Sequence, residues 1–137
     1  IFSSSNVQFK INDYSIKGNK KLGNQIYSKL YILSKSNNDD LNARNINITI
    51  NLLKNKSGTV KNSAGKIIEY NISLDANIVL KDSLSNNEII NYQSTAFSSY
   101  KVQDQHSETL KLENKSLENL INKTYQDLLI KLSEIIL

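Results

Sequence analysis

The feature that most constrains the fold is a long run of alternating side chains in the middle of the chain. Segment 68–80 places an apolar or aromatic residue at every second position, and mostly polar residues stand between them. Successive side chains of a β-strand point to opposite faces of the sheet, so this period of two predicts a long strand. One face of that strand is expected to be buried and the other wet.

The same period recurs on both sides of this run. Segments 46–52 and 90–102 alternate in the same way, and a turn is predicted at 83–87. Segment 7–16 also alternates, but its parity changes near Asn12 and Asp13, which predicts a bulge or bend in a first strand. The last three strands are joined only by turns, so we expect them to form an antiparallel meander.

Two segments have a helical period instead. Leucine and isoleucine recur on one face within about 19–36, and again in the last third, where the helix starts somewhere between Gln105 and Ser116. The order is β-α-β-β-β-α, and the first crossover makes its two strands parallel. We therefore predict an α+β fold with both helices packed on one face of a four-strand mixed sheet. The predicted core includes Phe9, Leu30, Ile48, Ile72, Leu74, Ala76, Ile78, Leu120, Ile121 and Leu128.

The length and composition bound the function. A chain of 137 residues is expected to form one domain over 1–137, with 1–6 as a disordered or extended linker. It contains no Met, so we expect a leader lost in processing or a longer precursor. The absence of Cys excludes disulfides and thiolate chemistry. The net charge of +4 rests almost entirely on Lys rather than Arg, which argues against a nucleic-acid partner.

No motif in the sequence indicates catalysis. His106 is the only histidine, with Asp104 and Glu108 nearby, and no candidate nucleophile or second histidine accompanies it. We favour a polar loop residue over a general base at this position. The acidic residues lack the spacing of a calcium loop or a catalytic pair, and the glycines form no phosphate loop. We expect a binding protein that is not an enzyme and uses neither a cofactor nor a metal.

A lysine-rich connection separates the second and third predicted strands. It runs from Lys54 to Lys66 without an acidic residue, and Gly58 and Gly65 are its expected turn points. One interpretation is a solvated hairpin. The other is a projecting tip that binds phosphate groups, for which Lys serves as a point charge. The sequence leaves both interpretations open.

The arrangement as a whole resembles the LptE family, the lipopolysaccharide-assembly lipoproteins of Gram-negative outer membranes. The resemblance is carried by the first helix with Leu22, Ile26 and Leu30, by segment 47–50, and above all by segment 69–80, in which Tyr70 precedes alternating apolar residues. The end of the fourth strand at 99–100 and the run 125–132 also fit. The resemblance extends from about residue 6 to the end of the chain.

This resemblance implies a lipid-anchored protein on the periplasmic side of the outer membrane, held by a lipidated Cys upstream of this chain. It would plug the LptD β-barrel, help the barrel assemble, and contact lipopolysaccharide. The lysines of the connection, Lys54, Lys56, Lys61 and Lys66, are then candidates for binding its phosphate groups. The resemblance itself points to Lys61 and to Lys111. Two alternatives stay open: an auxiliary periplasmic lipoprotein of a lipid-exporting ABC transporter, and an unrelated non-catalytic ligand-binding domain.

Overall fold

The predicted order of elements is confirmed. A computed structural model describes residues 9–35 and 43–136, without the side chain of 136, so the predicted linker at 1–6 lies outside the described residues. The chain forms an α+β fold. Its elements are β1 (Phe9–Gly18), α1 (Lys20–Lys35), β2 (Arg44–Lys61), β3 (Ile67–Asp82), β4 (Glu88–Lys101) and α2 (His106–Ile136).

The four strands form one mixed sheet in the order β1-β2-β3-β4. β1 pairs with β2 in parallel, and the β2–β3 and β3–β4 pairs are antiparallel, as the sequence predicts. The register of β1 against β2 shifts between Ile11 and Asp13. The change of parity near Asn12 therefore does mark a bulge, which turns Tyr14 and Ile16 toward the same face as Phe9.

Both helices cover one face of this sheet, which we call the inner face. Even-numbered residues of β2 and β3, such as Ile48 and Leu74, are buried there in a single cluster with Leu30 of α1 and Leu128 of α2. All the predicted core residues are buried, at 0 to 5% exposure. The opposite face, which we call the outer face, carries the polar residues of the alternating pattern.

The helix boundaries follow from local hydrogen bonds. The Asn19 side chain accepts a hydrogen bond from the Leu22 amide at 3.0 Å and caps the first turn of α1. Gly18, at φ +76°, makes the sharp entry into this cap. α2 begins at His106, at the early end of the predicted range. Within the described part of the chain, no helix has the length and apolar content that crossing a membrane requires.

The lysine-rich connection differs from its prediction as a loop. β2 continues through Lys61, and the turn occupies only residues 62–66. Asn62 closes this turn by accepting hydrogen bonds from the backbone amides of Ala64 and Lys66, both at 3.0 Å. Gly65 is a turn residue with φ +82°, but Gly58 lies within the strand opposite Tyr70. Pairing with β3 outweighs the low strand propensity of this Lys- and Asn-rich segment.

Candidate functional site

The far end of the β2–β3 hairpin and the first turns of α2 enclose a surface cleft of about 480 Å³, which we call the tip cleft. Lys56 and Tyr70 line it from the two strands, Lys66 from the turn, and His106 and Glu113 from the helix. The end of the hairpin, where residues 54–61 of β2 are exposed, stands beside the first turns of α2. The cleft brings cationic, aromatic and acidic side chains together.

An ion pair joins the hairpin to the helix in this cleft. The Lys56 ammonium group lies 2.7 Å from Glu113 Oε1, and the Tyr100 hydroxyl donates to the same oxygen at 2.5 Å. The Glu113 side chain is only 13% exposed, whereas that of Lys56 is 39% exposed. One carboxylate of α2 therefore ties β2 and β4 to the helix by two charge-assisted hydrogen bonds.

Two tyrosine rings complete this cluster. The Tyr70 and Tyr100 rings stack with their centroids 5.8 Å apart, at an interplanar angle of 26°. The Lys56 ammonium group lies 4.4 Å from the centroid of Tyr70, within the range of a cation–π interaction. We call the four residues Lys56, Tyr70, Tyr100 and Glu113 the latch.

The latch changes the protonation equilibria of its members. The hydrogen bond from Lys56, followed by that from Tyr100, lowers the pKa of Glu113 from its usual value of 4.5. The hydrogen bond to Glu113 raises the pKa of Lys56 well above 10.5. Burial, followed by the hydrogen bond to Glu113, raises the pKa of Tyr100. At neutral pH the carboxylate and the ammonium group are therefore both charged, and the phenol is neutral.

The structure places the candidate phosphate-binding lysines at different sites. Lys56 is held by Glu113, and Lys54 lines a different cleft of about 330 Å³ near Asn19. Lys111 pairs with Glu108 at 3.3 Å, and its side chain is 75% exposed. Lys66 lines the tip cleft and is exposed, and Lys61 is exposed at the end of β2. Lys61 and Lys66 thus combine exposure with a position at the turn.

Sequence reasoning missed Glu113. The ion pair spans 57 positions of the chain, so no local spacing points to it. One signal was available, since Glu113 stands one helical turn before Leu117 and one after Thr109, on the helix face that becomes buried. A carboxylate on a buried helix face needs a cation or a hydrogen-bond donor, because burial removes its hydration.

The outer face presents an ordered polar surface. Asp75 accepts hydrogen bonds from Asn55 at 3.2 Å and from Thr95 at 2.8 Å, so the side chains are linked across three strands. Two large apolar side chains interrupt this surface, Leu53 at 51% exposure and Phe97 at 67%. A shallow depression of about 370 Å³ lies around Asp75. The exposed outer face and the tip cleft are therefore two candidate binding surfaces of the described residues.

This fold, with two helices on one side of a four-strand mixed sheet in the order β-α-β-β-β-α, is found in solved structures of bacterial lipoproteins. The structure of rare lipoprotein B from Shewanella oneidensis matches with a TM-score of 0.55 at 14% identity, covering 88% of this chain and 92% of that one. The uncharacterised lipoprotein B from Nitrosomonas europaea matches with a TM-score of 0.59 at 17% identity, covering 93% and 84% of the two chains.

A minor lipoprotein from Acinetobacter baumannii matches with a TM-score of 0.58 at 15% identity, covering 92% of this chain and 94% of that one. No protein-family model matches the sequence, and neither does any curated protein. At these identities the comparisons show a shared fold. The similarity spans nearly the whole length of each chain, so the fold is shared as a complete domain.

Proposed function

We propose that this protein is an outer-membrane lipoprotein of lipopolysaccharide assembly that partners the LptD β-barrel and contacts lipopolysaccharide. The observation that carries the proposal is the whole-domain similarity to rare and minor lipoproteins, at 84 to 94% coverage of the three structures. It agrees with the resemblance of the sequence to LptE. The anchor in this proposal is a lipidated Cys upstream of Ile1.

Two surfaces have the properties that these partners require. The outer face offers a broad polar sheet with Leu53 and Phe97 exposed, which suits contact with the polar inner wall of a large barrel. Lys61 at the end of β2 and Lys66 in the turn suit the phosphate groups of lipid A. Glu113 already neutralises Lys56, so we assign the phosphate contact to Lys61 and Lys66.

Lipopolysaccharide binding tests the phosphate contact. The double change Lys61→Glu, Lys66→Glu is expected to weaken binding by about tenfold or more at low salt, because two attractive charges become repulsive. The difference is expected to shrink as salt is added, since the Debye length is about 8 Å at physiological ionic strength. Binding is measured by surface plasmon resonance on immobilised lipopolysaccharide, with folding verified by circular dichroism.

The matched control is Lys35→Glu, Lys131→Glu. These exposed lysines stand near the C-terminal ends of α1 and α2, away from the turn, and the double change alters the net charge equally. Control binding close to that of the unmodified protein supports the assignment. An equal loss of binding in both double variants would mean that net charge alone explains the effect. Unchanged binding by the Lys61→Glu, Lys66→Glu variant would rule out these two lysines as the contact.

A further inference from the structure

The middle of one edge strand lacks the features that normally prevent strands from pairing with other chains. β4 pairs with β3 on one side, and no strand of the described chain lies on its other side. Between Glu88 and Lys101 the strand carries no charged residue, and the chain contains no proline. Natural edge strands are commonly blocked by charges, prolines or bulges. The central part of β4 is thus open to pairing.

The opposite edge of the same sheet provides an internal comparison. β1 is also an edge strand, but it carries Lys10, Asp13 and Lys17 within ten residues. It also contains the bulge between Ile11 and Asp13, which disrupts a regular ladder. The bulge and Asp13 lie in the middle of β1, whereas the register shift of β4 lies near its start and its two charged residues lie at its ends.

We propose that β4 pairs in an antiparallel manner with β4 of a second copy of this chain, with the two-fold axis at Thr95. This would join two four-strand sheets into one continuous sheet. A two-fold axis perpendicular to the sheet keeps the outer faces of both copies on the same side. Outer-face residues then stand opposite outer-face residues. The inference stands independently of the proposed function.

The charges at the two ends of β4 fix this register. Along β3, the partner of Thr95 is Asp75, which lies midway between Glu69 and Lys81. Lys101 is opposite Glu69, and the register shift near the start of β4 places Glu88 opposite Lys81, on the outer face. Glu88 and Lys101 are therefore equally far from the proposed axis. Each would face the opposite charge of the second copy.

The remaining facing pairs are compatible with this arrangement. Gln93 would stand opposite Phe97 of the second copy and partly cover its ring, which is 67% exposed in the single chain. Glu88 accepts a hydrogen bond from Asn91 at 3.3 Å. Within the described residues, neither Glu88 nor Lys101 forms an ion pair, so both charges are open to one across the axis. No like charges would meet along the strand. A second copy therefore offers this edge both a strand for backbone hydrogen bonds and charges of opposite sign at the two ends.

A single engineered cysteine tests the register. The chain has no Cys, so Thr95→Cys introduces the only thiol. Directly opposed residues in an antiparallel pair have Cα atoms about 4.5 to 5.5 Å apart, which is within the range of a disulfide. The control is Gln93→Cys on the same strand and face, whose counterpart would be about 13 Å away. Mild oxidation is expected to give a covalent dimer with Thr95→Cys and little with Gln93→Cys.

Charge reversal tests the same contact without a covalent bond. Sedimentation velocity of the unmodified chain is expected to show a reversible dimer. Glu88→Lys or Lys101→Glu alone is expected to weaken dimerisation by about tenfold, because both symmetric ion pairs are lost and like charges meet. The double variant is expected to restore dimerisation. A chain that stays monomeric at high micromolar concentration, or equal crosslinking by the two cysteine variants, overturns the proposal.

Discussion

The side chain of Glu113 connects three elements of the fold through its one carboxylate. It accepts hydrogen bonds from Lys56 of β2 and Tyr100 of β4 while standing on α2. The folded protein lowers its pKa, so the ionised form adds stability at any pH above the ordinary value of 4.5. That contribution is lost as the pH falls through the lowered pKa.

Because the folded protein lowers the pKa of Glu113, the loss of stability caused by Glu113→Gln is expected to depend on pH. At pH 7 the variant is expected to lose about 1 kcal/mol of unfolding free energy, because Lys56 loses its charged partner but can still reach water. As the pH falls below 4.5, the difference from the unmodified protein is expected to shrink, since a protonated Glu and a Gln are both neutral. Urea denaturation at a series of pH values measures this difference in unfolding free energy.

Glu118→Gln is the control for this series. Glu118 lies on the same helix with its side chain 63% exposed, so its substitution is expected to leave the pH dependence almost unchanged. A gap between Glu113→Gln and the unmodified protein that is constant from pH 7 to pH 3 contradicts the assigned role of the carboxylate.

Core burial yields a second prediction at the residue scale. Leu74 is fully buried in the middle of β3, so Leu74→Ala is expected to cost about 2 to 5 kcal/mol through lost burial and a residual cavity. Leu84→Ala is the matched control, since Leu84 is 94% exposed in the β3–β4 turn and should change stability by less than about 0.5 kcal/mol. Chemical denaturation measures both, and similar losses would contradict the inner face as the core.

At the scale of elements, the turns set how strands and helices meet. Gly18 and Gly65 both have positive φ angles, at +76° and +82°, but their surroundings differ. A Cβ atom at Gly18 would overlap the carbonyl oxygen of Leu52, whereas a Cβ atom at Gly65 would meet nothing within 4 Å. Gly18 therefore serves the close approach of β1 to β2 as well as the turn itself.

The two glycines are expected to respond differently to the same substitution. Gly65→Ala is expected to cost about 1 to 2 kcal/mol, which is the penalty of a left-handed conformation for an L-residue. Gly18→Ala carries the same penalty, and the backbone overlap adds to it, so its loss is expected to be clearly larger. Thermal and urea denaturation of the two variants compare them directly. Equal losses would mean that backbone conformation alone matters at Gly18.

The elements differ in how far the sequence could predict them. Alternation alone predicts β3 and its buried face, because a period of two has no other common structural cause over so many residues. The sequence predicts a Lys-rich connection over 54–66 with turns at Gly58 and Gly65, but 54–61 belongs to β2. It is a strand because β3 offers it a partner. That pairing is a tertiary effect, and the same holds for the ion pair between Lys56 and Glu113.

At the scale of the whole molecule, the helices occupy the inner face and leave the rest of the surface for partners. The outer face is broad and polar, the far end of the β2–β3 hairpin is basic, and β4 forms an open edge. Composition predicted the basic connection, and alternation predicted the wet face. The open edge follows from the order of the strands in the sheet, which places β4 at its border. Neither composition nor alternation gives that order.

The most direct test of the proposed function is the isolation of the protein's partner from the cell. The tagged protein is expressed from its own gene at its native level and is recovered from detergent-solubilised outer membranes. An unrelated tagged outer-membrane lipoprotein serves as the control. The proposed function predicts stoichiometric recovery of the LptD barrel with this protein and not with the control. Recovery of ABC-transporter subunits, or recovery without any barrel, would contradict it.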